Sequence, residues 1–218
     1  MSEYTGKTAV LRDLSFPYRF TQPTEASGEC LFLLHGSGVD ETTLVPLAKQ
    51  IAPDAALVAA RGRIPQEDGF RWFERITPTS FEQASIRTET DAFATFVAEA
   101  TKRHGLDLSR ATFLGYSNGA NLVSSLMLLH SGLVRRAALL RAMPVLAETP
   151  PTDLVGTKVL MIAGAADLTY GPFAPALVTL LSQRGATVDA RIIASGHEIG
   201  DSDATIVRQW LADPSAVA

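Results

Sequence analysis

The residues Phe113-Leu114-Gly115-Tyr116-Ser117-Asn118-Gly119-Ala120 join a short apolar run to a helical pattern through a Gly-x-Ser-x-Gly motif. This layout is typical of a nucleophile elbow, in which a serine stands on a sharp turn between a strand and a helix. The two glycines remove the Cβ atoms that would clash in such a turn. We therefore predict that Ser117 is a nucleophile and that the N-terminus of the following helix points at it.

Apolar runs and helical patterns alternate along the rest of the chain. Buried strands are predicted at 29–34, 55–60 and 158–163, and further strands at 112–114, 134–140 and 188–193, after an edge strand at 16–20. Helices are predicted at 44–51, 81–104, 121–130, 172–184 and 202–211. This order predicts an α/β fold with a mostly parallel central sheet and helices on both faces.

The length and composition favour a single domain over residues 1–218. Hydrophobic residues make up 46% of the chain and charged residues 19%, which is enough apolar surface to cover a sheet on both faces. The segment between Leu140 and Lys158 contains prolines and no helical pattern, so no lid domain is predicted. The long irregular segment 61–80 is expected to have a functional role, because most loops are shorter.

Several classes of function are excluded by charge and by residue counts. A net charge of −4 offers no basic surface for nucleic acid. Cys30 is the only cysteine, so neither a disulfide within the chain nor a cysteine metal cluster is expected. No ligand cluster for a metal is evident, and no cofactor is predicted. The chain also lacks a secretory signal pattern and a run long enough to span a membrane, which predicts a cytoplasmic protein.

Two further residues complete a candidate catalytic set with Ser117. Asp167 follows the strand at 158–163, and His197 follows the last strand. A serine hydroxyl needs a base to take its proton, and the base needs a carboxylate to orient it. The order Ser, Asp, His matches one known arrangement of such triads. The alternatives are that Asp167 only caps a helix, that His197 is simply exposed, or that Glu198, Asp201 or Asp203 is the acid.

Acyl transfer also needs N–H donors where the carbonyl oxygen becomes negative. We predict that Asn118, directly after the nucleophile, provides one, and that Ser37 in His35-Gly36-Ser37-Gly38 provides the other. His35 is interpreted as a residue that shapes this loop rather than as a second base.

Aromatic residues in the long loop are candidates for substrate binding. The segment Gly69-Phe70-Arg71-Trp72-Phe73 leaves the sheet at the same edge as Ser117. We predict that Trp72 forms a wall of the pocket and that Phe73 contributes to it. The alternative is that these rings fill the core, as aromatic rings often do.

With these motifs identified, the chain resembles the phospholipase/carboxylesterase family of small α/β-hydrolases that lack a lid. It is most similar to a bacterial carboxylesterase subgroup, through Gly115–Ala120, Arg61–Arg63 and Gly69–Phe73. The resemblance implies an α/β-hydrolase fold, a serine esterase with Ser117, Asp167 and His197 as the triad, and no cofactor. Some relatives are associated with the breakdown of aromatic rings, and relatives are often dimers, so a homodimer is possible.

The sequence thus predicts an esterase that hydrolyses small esters, with short acyl or aromatic groups, through an acyl-enzyme. A thioesterase or lysophospholipase with the same triad is one alternative. Protein deacylation is disfavoured because acyl-protein thioesterases usually have glutamine at the position of Asn118. A receptor for small molecules on the same fold, without catalysis, is the alternative from another class.

Overall fold

The computed structural model describes residues 4–5, 9–66 and 68–213. Its strands are β1 (Tyr4–Thr5), β2 (Tyr18–Pro23), β3 (Cys30–Leu34), β4 (Ala56–Ala60), β5 (Ile64–Gln66), β6 (Gly69–Arg71), β7 (Arg75–Thr77), β8 (Ser80–Phe81), β9 (Ala111–Tyr116), β10 (Arg136–Leu140), β11 (Lys158–Gly164) and β12 (Thr187–Ile193). Its α-helices are α1 (Val45–Ile51), α2 (Gln83–His104), α3 (Asn118–Leu129), α4 (Ala174–Gln183) and α5 (Asp201–Ala212). Short 3-10 helices lie at Leu108–Arg110 and Gly171–Phe173.

Eight strands form the central sheet, in the order β1-β2-β4-β3-β9-β10-β11-β12. Six neighbouring strands run parallel to one another, namely β4, β3, β9, β10, β11 and β12. Strand β2 is antiparallel to β4 and to β1. The prediction of a mostly parallel sheet is therefore confirmed. The central strands β3, β4 and β10 are buried at every residue, which explains why β3, β4 and all of β10 after Arg136 are apolar.

Alternate residues of each strand point into two separate hydrophobic cores. Phe32 and Leu34 join the core under α2, α3 and α4, while Leu31 and Leu33 join the core under α1 and α5. Side chains alternate between the faces of a sheet, so every central strand contributes to both layers. The helices thus cover both faces, and the described elements form one domain with the α/β-hydrolase architecture.

The helix ends follow local sequence signals. The carboxylate of Glu82 accepts hydrogen bonds from the N–H groups of Ala84 and Ser85 and so caps the start of α2. Gly105 ends the same helix with a φ angle of 64°, in the left-handed region that glycine adopts most easily. By contrast, α3 begins at Asn118, three residues before the predicted start, because the strand turns into the helix at Ser117 without a linker.

Three other expectations about the chain can be compared with the structure. The strand predicted at 16–20 pairs with β4, but β1 lies outside it, so it is not the outermost strand. The long segment 61–80 is not wholly irregular, because it contains most of the two small hairpins β5–β6 and β7–β8. No helix interrupts the segment from 141 to 157, which agrees with the absence of a lid domain there. Within the described ranges, no helix is long and apolar enough to cross a membrane.

Candidate active site

Ser117 lies on the turn between β9 and α3, with the backbone in a strained conformation. Its φ angle is 52°, a value that residues with a Cβ atom rarely adopt. A Cβ on Gly115 would lie 2.6 Å from the Cα of Ala120, and a Cβ on Gly119 would collide with the carbonyl oxygen of Leu34. The two glycines of the motif are therefore required by the close approach of the helix to the strands.

The structure brings Ser117, His197 and Asp167 together in one chain of hydrogen bonds. The Nε2 atom of His197 is 2.9 Å from the hydroxyl oxygen of Ser117, and its Nδ1 atom is 2.7 Å from a carboxylate oxygen of Asp167. Asp167 follows β11 and His197 follows β12, so both stand at the carboxyl edge of the sheet beside the elbow. The carboxylate of Asp167 can only accept a hydrogen bond, so Nδ1 of His197 carries the proton. Nε2 is then free to accept a hydrogen bond from the serine hydroxyl.

Asp167 is almost fully buried, at 4% exposure, and its two carboxylate oxygens have different hydrogen-bond partners. One oxygen faces His197, and the other accepts the N–H groups of Thr169 and Tyr170, each at 3.0 Å. Burial by itself raises the pKa of Asp167, but hydrogen bonds from Tyr170 and His197 outweigh it and hold the pKa below the usual value of an aspartate. Asp167 thus caps the following turn and also contacts the histidine.

The other acids considered for this position have different neighbours. Asp203 forms a buried ion pair with Arg141, and Asp201 is the first residue of α5. Glu198 is exposed. Among these carboxylates, Asp167 is the one in contact with the imidazole of His197.

A small cavity of about 210 Å³ opens above the serine. The residues that line it are Ser37, Arg75, Pro78, Tyr116, Ser117, Thr169, Tyr170 and His197. The Tyr116 and Tyr170 rings flank the imidazole of His197, with centroid distances of 5.5 Å and 5.2 Å. Burial raises the pKa of the Tyr170 hydroxyl, so this group stays protonated at neutral pH. Tyr116, Tyr170 and Arg75 were not predicted to line the cavity, because no pattern in the sequence shows which way their side chains point.

Of the two residues proposed to supply oxyanion donors, one lines this cavity and the other directly follows Ser117. Ser37 lines it directly, in the loop after β3. Asn118 is the first residue of α3, so its N–H has no acceptor within the helix. Its side chain is fully buried and accepts the N–H of Trp72 at 2.8 Å, which fixes the start of the helix against the segment 69–73.

His35 is buried at 1% exposure, and both of its ring nitrogens bond to the main chain. Nδ1 lies 2.6 Å from the carbonyl oxygen of Gly36, and Nε2 accepts the N–H of Gly62 at 3.0 Å. Burial lowers the pKa of His35 to about 4, so the ring is neutral at physiological pH. These contacts tie the loop after β3 to the loop after β4, as expected of a residue that shapes the loop.

The interpretation of Trp72 and Phe73 as pocket residues is wrong. Both side chains have no exposed surface, so neither can touch a ligand in this structure. The indole N–H of Trp72 donates to the carbonyl of His35 at 2.8 Å, and its ring packs against Phe16 and Phe93. The segment 69–73 reaches the edge near the elbow, as predicted, but it directs these rings into the core under α2.

Arg141 is a buried residue next to the site, and it was not predicted from the sequence to take part in it. It follows β10 with a φ angle of 55° and forms a buried ion pair with Asp203 at 2.8 Å. It also donates to the carbonyl oxygens of Gly196 and Glu198, at 3.0 and 2.9 Å, on either side of His197. Arg141 therefore holds the loop that carries His197. No local pattern around position 141 indicated this, because its partners are more than fifty residues away.

No group of three or more histidine, cysteine, aspartate or glutamate side chains that could hold a metal is found in the part of the chain that the structure describes.

Comparisons with known proteins find two carboxylesterases and a hydrolase among the proteins similar to this chain. The chain is 74% identical to a carboxylesterase from Mesorhizobium loti of known crystal structure, with a TM-score of 0.92 over 94% of this chain and 99% of that one. It is 26% identical to the Bacillus cereus carboxylesterase, with a TM-score of 0.85 over 90% and 93% of the two chains. It is also 30% identical over 185 residues, 84% of this chain and 92% of the other, to the Bacillus subtilis (strain 168) protein named Putative hydrolase MhqD. No protein-family model matches the chain.

The fold, the elbow and the high identity to a carboxylesterase over nearly the full chain lead to the same conclusion. The chain belongs to the phospholipase/carboxylesterase family of α/β-hydrolases, and it is a carboxylic-ester hydrolase.

Proposed function

We propose that ester hydrolysis proceeds through an acyl-enzyme on Ser117, with His197 as the base and Asp167 as its orienting carboxylate. The observation that carries the proposal is the pair of contacts at His197, 2.9 Å to the serine and 2.7 Å to the aspartate. His197 takes the proton of Ser117 as the hydroxyl attacks the carbonyl carbon, and it then gives that proton to the departing alcohol. A water molecule activated in the same way releases the acid and restores the serine.

The negative charge that forms on the carbonyl oxygen needs nearby donors. We assign this role to the backbone N–H groups of Asn118 and Ser37, with additional stabilisation from the N-terminus of α3. Three contacts support the assignment, because they fix both donors before substrate binds. The Asn118 side chain is bonded to Trp72, Gly38 donates its N–H to Phe70, and His35 anchors the loop beside Ser37.

The cavity supports a preference for small esters. A volume of about 210 Å³ is below the ~300–1,000 Å³ of sites that enclose drug-sized ligands. The tyrosines at positions 116 and 170 offer ring surfaces to a flat group, which supports short acyl chains and aromatic esters as the substrate class.

A panel of esters tests this assignment of substrate. We expect kcat/KM to be highest for acetyl, propionyl and aryl esters and to fall steeply once the acyl chain exceeds the length that the cavity accepts. An acyl chain too long for the cavity holds the ester carbonyl away from Ser117, and the methylenes left outside add none of the roughly 0.8 kcal/mol that burying each would give. Thioesters of the same acyl groups and a lysophospholipid complete the panel. A preference for either of these over the small oxygen esters would contradict the assignment.

The pH profile tests the role of the histidine. Protonated His197 cannot accept the proton of Ser117, so kcat/KM should fall as the pH is lowered. Asp167 should not add a second step near neutral pH, because its hydrogen bonds lower its pKa from the usual value of an aspartate and it stays ionised. A rate that is unchanged down to about pH 4.5, with the fold intact, would argue against a histidine base.

A further inference from the structure

The strand β12 is an edge strand of the central sheet, and no strand in the described ranges pairs with its outer side. All seven of its residues pair with β11 in a regular register. The opposite side of the sheet ends differently, in the two-residue strand β1. A long, regular edge strand presents a row of N–H and C=O groups that can bind another strand.

Hydrogen bonds at both ends of β12 show which of its residues face outward. Thr187 donates its N–H toward β11, to the carbonyl of Thr157 at 2.9 Å, and the carbonyl of Ile193 accepts from Ala165 on the same side at 2.8 Å. Backbone groups alternate in direction along a strand. The residues whose N–H and C=O groups point away from the sheet are therefore Val188, Ala190 and Ile192.

The same edge carries exposed apolar surface. Ile192 is 74% exposed and Leu168 is 90% exposed, although both are large aliphatic residues. Both line a groove of about 690 Å³ beside β12, to which Pro172, Pro175, Val178 and Ala190 also contribute. An apolar groove next to an unpaired strand is a feature of surfaces that bind another protein.

We propose that β12 pairs antiparallel with β12 of a second copy of this chain, about a two-fold axis through Ala190. The outward-facing residues then form three pairs, Ala190 with itself and Val188 with Ile192 in both directions, which exchange about six backbone hydrogen bonds. The apolar side chains of these pairs meet on the face that carries the groove. The two central sheets become one continuous sheet in the dimer.

Charge complementarity selects this register. Asp189 and Arg191 lie on the other face of β12, where they form an exposed ion pair with each other at 2.6 Å. In a pairing centred on Ala190, Asp189 of one copy stands opposite Arg191 of the second copy, and the reverse holds across the axis. Opposite charges that face each other across antiparallel strands are favourable.

The neighbouring two-fold registers lack this match. A centre at position 189 places the two aspartates opposite each other, and a centre at position 191 places the two arginines opposite each other. Like charges directly opposite each other destabilise a strand pair. Asp189 and Arg191 therefore favour one register for pairing with the second copy.

Sedimentation velocity of the full chain at several concentrations tests the proposal, independently of the catalytic assignments. We expect wild type to sediment as a dimer. Arg191→Asp should give a monomer because carboxylates then face each other, and Asp189→Arg should do the same with two guanidinium groups. The exchange variant Asp189→Arg/Arg191→Asp restores opposite charges across the axis and should recover the dimer.

The matched control is Arg103→Asp, which makes the same charge change in an exposed ion pair with Asp13. This pair lies beside Phe20 of β2, near the opposite end of the sheet from β12. It should remain dimeric. Circular dichroism and thermal melting establish that each variant is folded. A monomeric wild type at every concentration would refute the interface, and so would an exchange variant as monomeric as the folded single variants.

Discussion

Replacing Ser117 with alanine should remove nearly all esterase activity and leave the fold intact. The substitution deletes the oxygen that lies 2.9 Å from Nε2 of His197, which is the atom proposed to attack the ester. Loss of a nucleophile of this kind lowers kcat by about 10⁴-fold or more. Ester hydrolysis by the purified variant, with circular dichroism to confirm folding, measures the effect.

Ser37→Ala is the matched control, because Ser37 lines the same cavity but is proposed to act through its backbone N–H. That N–H remains in the alanine variant, so the loss of rate should be far smaller than for Ser117→Ala. A fluorophosphonate probe, which reacts with activated serines, should label wild type and Ser37→Ala but not Ser117→Ala. Activity of Ser117→Ala within about tenfold of wild type would exclude Ser117 as the nucleophile.

Replacing Arg141 with methionine should lower both stability and turnover. The ion pair between Arg141 and Asp203 is almost fully buried, with side-chain exposures of 0% and 1%. Removing one partner leaves a buried carboxylate uncompensated, which typically costs about 3–5 kcal/mol of folding free energy. The loop that carries His197 loses its donors at the same time, and misplacement of a catalytic group by about 1 Å can lower kcat up to about 100-fold.

Arg136→Met provides the matched control for that variant. Arg136 lies at the start of the same strand, β10, and its guanidinium donates to the carbonyls of Trp210 and Leu211 rather than to the histidine loop. It should lower the stability while kcat stays near wild type. Denaturant unfolding and steady-state kinetics of both variants separate the two effects. Full kcat in folded Arg141→Met would show that the histidine loop does not depend on this arginine.

The features that could be predicted from the sequence are those encoded by residues close together in the chain. The elbow requires two glycines and a serine within five positions, and the central strands β3 and β4 are unbroken apolar runs. Asp167 and His197 could be located because each lies a few residues after a predicted strand, and parallel strands place their carboxyl ends at one edge. The sequence therefore indicated which residues meet, before any distance was known.

The features that could not be predicted depend on which way a side chain points within a loop. Trp72 lies in a segment that does pass near Ser117, but nothing in the sequence shows that its ring turns toward Phe16 and Phe93. Arg141 stands alone among apolar neighbours, and its partner Asp203 is 62 positions further along the chain. Such contacts arise from tertiary packing and leave no periodic signal in the sequence.

The positive φ angle of Ser117 means that function and stability favour different residues at this position. A residue with a Cβ atom in a sparsely populated backbone region costs of order 1–3 kcal/mol, a noticeable share of the roughly 5–15 kcal/mol that holds a typical domain folded. Glycine would adopt this φ angle of 52° more easily, but it has no hydroxyl group. Selection for a more stable chain and selection for an active one therefore favour different residues at position 117.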